Sequence, residues 1–152
     1  MKILIIQTGG TIDKDYPRTT KGYAFEITTP AAERILKRVK PHFDYEIVPL
    51  LQKDSLDMTD KDRQKIRELC IESPCRKIII THGTDTMDNT AHSLTGIAGK
   101  TIILTGAFLP ERFKDSDADF NMGMAVCAIQ ILSEGIFLAR NGMLNAIDIN
   151  AK

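Results

Sequence analysis

Two apolar runs in this chain break off into threonine-bearing turns. Ile3-Leu4-Ile5-Ile6 leads into Thr8-Gly9-Gly10-Thr11-Ile12, and Lys77-Ile78-Ile79-Ile80 leads into Thr81-His82-Gly83-Thr84-Asp85-Thr86. A short aliphatic run bounded by turn residues reads as a strand covered on both faces, the kind found in parallel sheets. Open parallel sheets bind ligands at the carboxyl ends of their strands. Two hydroxyl-rich turns on that edge would share one cleft, where a threonine hydroxyl can act as a nucleophile if a base is near.

The rest of the chain alternates strand and helix. The pattern predicts strands over 2–7, 45–49, 77–81, 101–105 and 135–139. Between them, Thr29-Pro30 predicts a helix start, with Thr29 as N-cap, Pro30 at the first helical position, and Ala32, Ile35, Leu36 and Val39 on one face. Thr59-Asp60-Lys61-Asp62 resembles a capping box with Asp in place of Glu. Further helices are expected over 88–97, closed near Gly99, and over 121–133, which is apolar on most sides. The apolar positions Met122, Met124, Ile129 and Ile131 suit a core or an interface. This alternation implies an α/β fold of three layers, αβα, with a mainly parallel, Rossmann- or flavodoxin-like sheet. Arg140-Asn141-Gly142-Met143 adds a hairpin near the C-terminus, with Asn-Gly at its tip.

Two segments break the rhythm. The polar stretch 13–28 follows the first threonine turn and is a candidate lid. The stretch 108–119 is also irregular, and Arg112, Lys114 and Asp115-Ser116-Asp117-Ala118-Asp119 read there as solvated loop. With no internal repeat and no linker, the 152 residues are expected to form one domain.

Composition removes several classes of function. Twenty basic residues balance twenty acidic ones, so charge gives no reason to expect a nucleic acid or an anionic membrane as partner. No apolar run has the length of a membrane span, and Met1-Lys2 leads straight into a strand without the regions of a signal peptide. Cys70, Cys75 and Cys127 are an odd number, too sparsely placed for zinc. They read as reduced thiols in a cytoplasmic protein, with Cys127 as core filler.

Taken singly, each motif has a plainer reading. Gly9-Gly10 lacks the spacing of a dinucleotide or Walker loop, and a tight turn with positive φ accounts for the glycines, though not for Thr8 and Thr11. Asp85 or a neighbouring Thr could cap the following helix. His82 has no Gly-x-Ser-x-Gly elbow beside it and reads as a hydrogen-bonded scaffold residue. Asp54-Ser55-Leu56-Asp57 could be a loop that satisfies its own backbone.

Their order is more specific than any one of them. Thr-Gly-Gly-Thr-Ile after a strand is followed by Asp-Ser-x-Asp-Met, by Thr-His-Gly-Thr-Asp-Thr-Met, and by Leu-Thr-Gly-Ala. Together these resemble the bacterial-type L-asparaginase family over nearly the whole chain. The resemblance implies hydrolysis of the asparagine side-chain amide to aspartate and ammonia, without metal or organic cofactor, by a homodimer or homotetramer acting on a small-molecule substrate. By position it implies Thr11 as nucleophile, Tyr23 as the supporting lid tyrosine (Tyr16 lies too close to Thr11), and Thr84 and Asp85 as the second threonine and its aspartate. A lysine paired with them falls on Lys152. Ser55 would hold the substrate carboxylate, with Asp57 in the same loop; Gly10 and Gly83 belong to the two turns; and the Ala107 carbonyl would face the leaving amide. Asp85 would bind the substrate ammonium.

Two departures from the family pattern bear on function. Common members carry a second domain that completes the ammonium pocket of a neighbouring subunit, and the present chain is expected to resemble short, single-domain members. Leu56 stands where long members often have a polar residue. Both predict altered recognition of the amino-acid head group and leave the threonine chemistry in place. The alternative expectation is a non-catalytic small-ligand module on the same fold.

Overall fold

The computed structural model describes residues 1–18 and 24–148. Its centre is a six-stranded sheet built from β1 (Lys2–Gly9), β4 (Asp44–Lys53), β5 (Lys77–Thr81), β6 (Thr101–Thr105), β7 (Gly135–Arg140) and β8 (Met143–Ala146), in the order β4-β1-β5-β6-β7-β8. All neighbours pair in parallel except β7 with β8. That hairpin turns at Asn141 and Gly142, with φ of 53° and 72°, the doubly left-handed turn that Asn-Gly favours. β2 (Lys14–Asp15) and β3 (Glu26–Ile27) form a separate antiparallel ribbon, the stem of the segment read as a lid.

Alternation along the central strands makes the three layers. Ile3, Ile5, Ile79 and Ile103 point to one face and pack with α1 (Ala31–Val39) and α4 (Ala118–Ile131). Leu4, Ile6, Ile78, Ile80, Ile102 and Leu104 point to the other and pack with α2 (Asp60–Glu72) and α3 (Met87–Ser93). Each buried isoleucine contributes about 1.5–3 kcal/mol by leaving water, and both faces of β1 and β5 are filled, so these two strands anchor the edge that carries the threonine turns. The order also places a topological switch point between β1 and β5: the chain winds outward to β4 on one side and to β6 and β7 on the other. Ligands of doubly wound sheets bind at such a point.

The strands at 77–81 and 101–105 match the sequence reading residue for residue. β4 runs on to Lys53, past the expected stop at Pro49, because it lies at the sheet edge, where a proline without N–H is tolerated. The Thr59 capping box forms: Thr59 Oγ1 accepts from Asp62 N, and the Asp62 carboxylate accepts from Thr59 N at 2.9 Å. α1 corrects its expected start. Pro30, not Thr29, occupies the N-cap position, and the free Ala31 N–H donates to Asp13 Oδ1 at 2.7 Å. Val39, expected on the buried face, is exposed. α4 begins a turn early, and its buried stripe runs through Met122, Ala125 and Ile129. Cys127 lies opposite that stripe and is exposed, so it is not core filler. The group Met122, Met124, Ile129 and Ile131 divides likewise: Met122 and Ile129 are core, while Ile131 is exposed. Among the described residues no helix is long and apolar enough to cross a membrane.

Candidate active site

Four strand ends meet at the carboxyl edge of the sheet, with glycine at each close approach. A Cβ built on Gly9 would lie 2.3 Å from the Lys53 carbonyl oxygen, at the end of β4. One on Gly10 would lie 2.3 Å from Gly83 N, one on Gly83 would lie 2.6 Å from Ser55 Oγ, and one on Gly106 would lie 2.2 Å from the His82 carbonyl oxygen. No other residue fits at these points. Gly9 and Gly10 also hold φ of 116° and 82°, which only glycine adopts readily. The two threonine turns are thus in backbone contact, and the Ser55 loop leans on the second of them.

Hydrogen bonds lock this contact. Gly10 N donates to Lys53 O at 2.9 Å, and Thr8 Oγ1 donates to Thr81 O at 2.7 Å. Thr86 Oγ1 donates to Ser55 O at 2.7 Å, so Thr86 ties the second turn to the Ser55 loop. Thr86 occupies the N-cap position of α3 without a side-chain capping bond, so the helix-capping reading of this turn does not hold. Asp54 does satisfy its own loop, accepting from Leu56 N at 3.3 Å, and it pairs with Lys14 at 3.2 Å.

His82 is wholly buried. Its Nδ1 lies 2.7 Å from the Gly83 carbonyl and its Nε2 2.7 Å from Thr90 Oγ1. A carbonyl only accepts, so Nδ1 carries the proton and Nε2 accepts from Thr90. Burial lowers the pKa to about 4, against the Gly83 carbonyl, which favours the charged ring. A neutral ring held from both sides buttresses the second turn, which is the scaffold role read from the sequence.

The expected site residues distribute as follows. Thr11 opens a short 3-10 turn, Thr11–Asp13, directly after Gly10 and is half-buried. Thr84 is half-buried one residue beyond Gly83, and Asp85 beside it is exposed. Ser55 is buried under Gly83, Asp57 is exposed, and Ala107 is buried after Gly106. Gly10 and Gly83 form the contact itself. The structure therefore brings the turns of Thr11, Ser55, Thr84 and Ala107 together. Tyr23 and Lys152 lie outside the described residues. A groove of about 540 Å³ lined by Ile97, Ile136 and Ile147 lies at the opposite, amino end of the strands, away from these hydroxyls.

Three polar groups around the site escaped the sequence reading. Asp13, which reads as a loop residue, is wholly buried. Burial raises its pKa to about 7, despite the Ala31 N–H that favours the carboxylate. Lys53, whose carbonyl receives Gly10 N, places its Nζ 2.8 Å from Asp62; this contact and the Thr59 bonds hold the Asp62 carboxyl well below its ordinary range. Arg140, expected only as a hairpin flank, pairs with Asp88 at 2.8 Å and reaches the Thr84 carbonyl at 3.5 Å. None has a local signal, because each partner comes from a distant element. The stretch 108–119 is likewise less free than expected. Asp117 accepts from Phe108 N at 3.0 Å, Arg112 donates to the buried Asp15 at 3.1 Å, and Glu111 N donates to Ile12 O at 3.2 Å.

Comparison with known proteins agrees with the geometry. Residues 2–146 match the family described as Asparaginase, N-terminal. The chain is 30% identical to the L-asparaginase of Thermococcus kodakarensis over 91% of its own length and 44% of that protein's. It is 31% identical to L-asparaginase 2 of Escherichia coli strain K12, over 82% and 37% respectively. Among solved structures, the thermostable L-asparaginase from Thermococcus kodakarensis superposes with a TM-score of 0.77 at 27% identity, covering 91% of this chain and 44% of that one. A probable cytoplasmic L-asparaginase from Campylobacter jejuni gives a TM-score of 0.71 at 28% identity, covering 94% and 45%. The chain spans less than half the length of the curated relatives it matches. With its six-stranded α/β sheet and its paired threonine turns, the chain belongs to the asparaginase family, matching that family's N-terminal domain.

Proposed function

We propose that this chain is an amidohydrolase domain that hydrolyses the side-chain amide of asparagine to aspartate and ammonia. The observation that carries this reading is the backbone contact of Gly10 with Gly83 at the switch point, which sets Thr11 and Thr84 on adjoining turns. In the proposed reaction Thr11 Oγ attacks the amide carbon, and its proton passes by way of Thr84 and a neutral Lys152 to the leaving nitrogen. Ammonia departs, and water cleaves the resulting acyl-threonine ester. Backbone N–H groups of the glycine turns face the developing oxyanion. Tyr23 supports Thr11, Ser55 holds the substrate carboxylate with Asp57 at the loop's outer side, Asp85 receives the ammonium, and the Ala107 carbonyl faces the leaving amide. The names of the relatives support the substrate class. We assign the reaction to a single domain working without cofactor on a small molecule, in a cytoplasmic homodimer or homotetramer.

The test is a substrate panel. Asparagine, glutamine and simple aliphatic amides are incubated with the protein, and ammonia and the carboxylic acid product are both quantified. Equimolar aspartate and ammonia from asparagine support the reading. Substrate binding without turnover of any amide contradicts it and leaves the fold as a ligand-binding module.

A further inference from the structure

The Asp13 side chain is buried within the site's foundations and is not used by the proposed reaction. Its Oδ1 accepts from Ala31 N at 2.7 Å, and its Oδ2 accepts from Thr81 Oγ1 at 3.3 Å. Its backbone closes the Thr11 turn, with Asp13 N donating to Gly10 O at 3.2 Å, and its carbonyl accepts from Thr28 N at 3.2 Å. One residue therefore touches the turn after β1, the end of β5 that begins the Thr84 turn, and the start of α1. The Gln7 carboxamide also faces it; Gln7 Nε2 donates to Thr28 O at 2.8 Å, while Gln7 Oε1 is buried with no donor among the described residues.

The charge on Asp13 is poorly compensated. Gln7 from β1 and Thr81 from β5 are neutral. The charged side chain facing it is Arg34 of α1, whose Nε donates to Glu111 and whose Nη1 donates to Thr29. A protonated Asp13 would supply the O–H that Gln7 Oε1 lacks, and would keep its acceptor for Ala31 N–H. An ionised one accepts from Ala31 N–H, from Thr81 Oγ1 and from the Gln7 amide, contacts that favour the charge but do not outweigh its burial, and it leaves Gln7 Oε1 without a donor.

We propose that Asp13 is a positioning residue whose buried carboxyl group sets the Thr11 turn against the end of β5, and that gain or loss of its proton shifts that alignment. Resting on the amidohydrolase reading for its activity readout, the assignment has a second readout that does not need turnover. The raised pKa agrees with it, placing the proton exchange near neutral pH. A turn displaced by a fraction of an ångström changes turnover more than binding, because attack geometry is the sensitive quantity.

Three proteins test this: the wild type, Asp13→Ala and Asp13→Asn. In the ammonia assay, Asp13→Ala is expected to lower kcat about tenfold or more with KM within about threefold. Asp13→Asn, which keeps the shape and carries a donor toward Gln7, is expected to recover most of that loss and to remove the near-neutral inflection from the kcat–pH profile. In parallel, the backbone amide resonances of Gly10, Thr11 and Ala31 are followed from pH 5 to 9. In the wild type all three are expected to titrate together near neutral pH, and none of them in Asp13→Asn. Gly10 and Thr11 amides that stay still while Ala31 titrates overturn the proposal, as does an inflection that persists in Asp13→Asn. Co-titrating amides in a protein that hydrolyses no amide keep the positioning role and overturn the amidohydrolase reading instead.

Discussion

Gly10 and Gly83 stand so close that a methyl group on Gly10 would lie 2.3 Å from Gly83 N. The two threonine turns of this protein thus form one unit, closed by backbone contact at the point where the sheet reverses its winding. Thr11 and Thr84 follow directly on these glycines, so the contact fixes their spacing without any side chain between them.

Alanine at either glycine is therefore expected to open the site. At Gly10, whose φ of 82° and ψ of −176° lie in a region open essentially to glycine alone, it adds a backbone penalty of about 1–3 kcal/mol to the clash. At Gly83 it meets Ser55 and moves the loop expected to hold the substrate carboxylate. Either variant is expected to lose about 100-fold or more in kcat/KM, with the Gly10→Ala protein also melting earlier. Steady-state kinetics and thermal denaturation check both. A Gly10→Ala protein of normal activity would mean that the turns can separate without consequence.

Between about pH 4 and 7 the pH dependence of stability follows from two buried groups with opposite signs. Folding raises Asp13 from 3.8 to about 7, so the folded form holds the proton more tightly and stability falls as pH rises through that window. Folding lowers His82 from 6.5 to about 4, so the unfolded chain binds the proton more tightly and stability falls as pH drops through that window. Between about pH 4 and 6.5 the slopes oppose, each at most about 1.4 kcal/mol per pH unit. Wild type is expected to be nearly flat there. Asp13→Asn keeps only the histidine slope and is expected to gain stability steadily as pH rises. Urea midpoints at four pH values, read against each other, decide the sign.

The Thr59 capping box is expected to act on stability alone. Thr59→Ala removes the acceptor for Asp62 N and one donor to the Asp62 carboxylate, while Lys53 stays paired with it. The expected loss is about 1 kcal/mol, seen as a lower urea midpoint with an unchanged slope.

Much of this was legible in the sequence where the cause is local. The strands at 77–81 and 101–105, the Asn-Gly hairpin and the Thr59 box each follow from a few adjacent residues. So does the clustering of the threonine turns, because strand ends in a parallel sheet share an edge. The misses are non-local. α1 is capped by Asp13 from eighteen residues earlier in the chain, so Thr29 is not needed as a cap. β4 passes Pro49 because it ended at the sheet edge, which strand order alone decides. Cys127 sits in an apolar helix, yet α4 carries apolar residues on its outer face as well, with Phe120 and Ile131 exposed. Asp13 itself looks like the first polar residue of a loop, and only the packing of α1 and β5 around it shows otherwise.

The central claim is that the joined threonine turns hydrolyse an amide. The measurement that tests it most directly is ammonia release from asparagine by wild type, Thr11→Ala and Thr84→Val, with folding of each verified by circular dichroism. The account predicts turnover by the wild type and its loss, by about 100-fold or more, in both folded variants. A folded wild type that releases no ammonia, or a Thr11→Ala protein that matches it, would contradict the account.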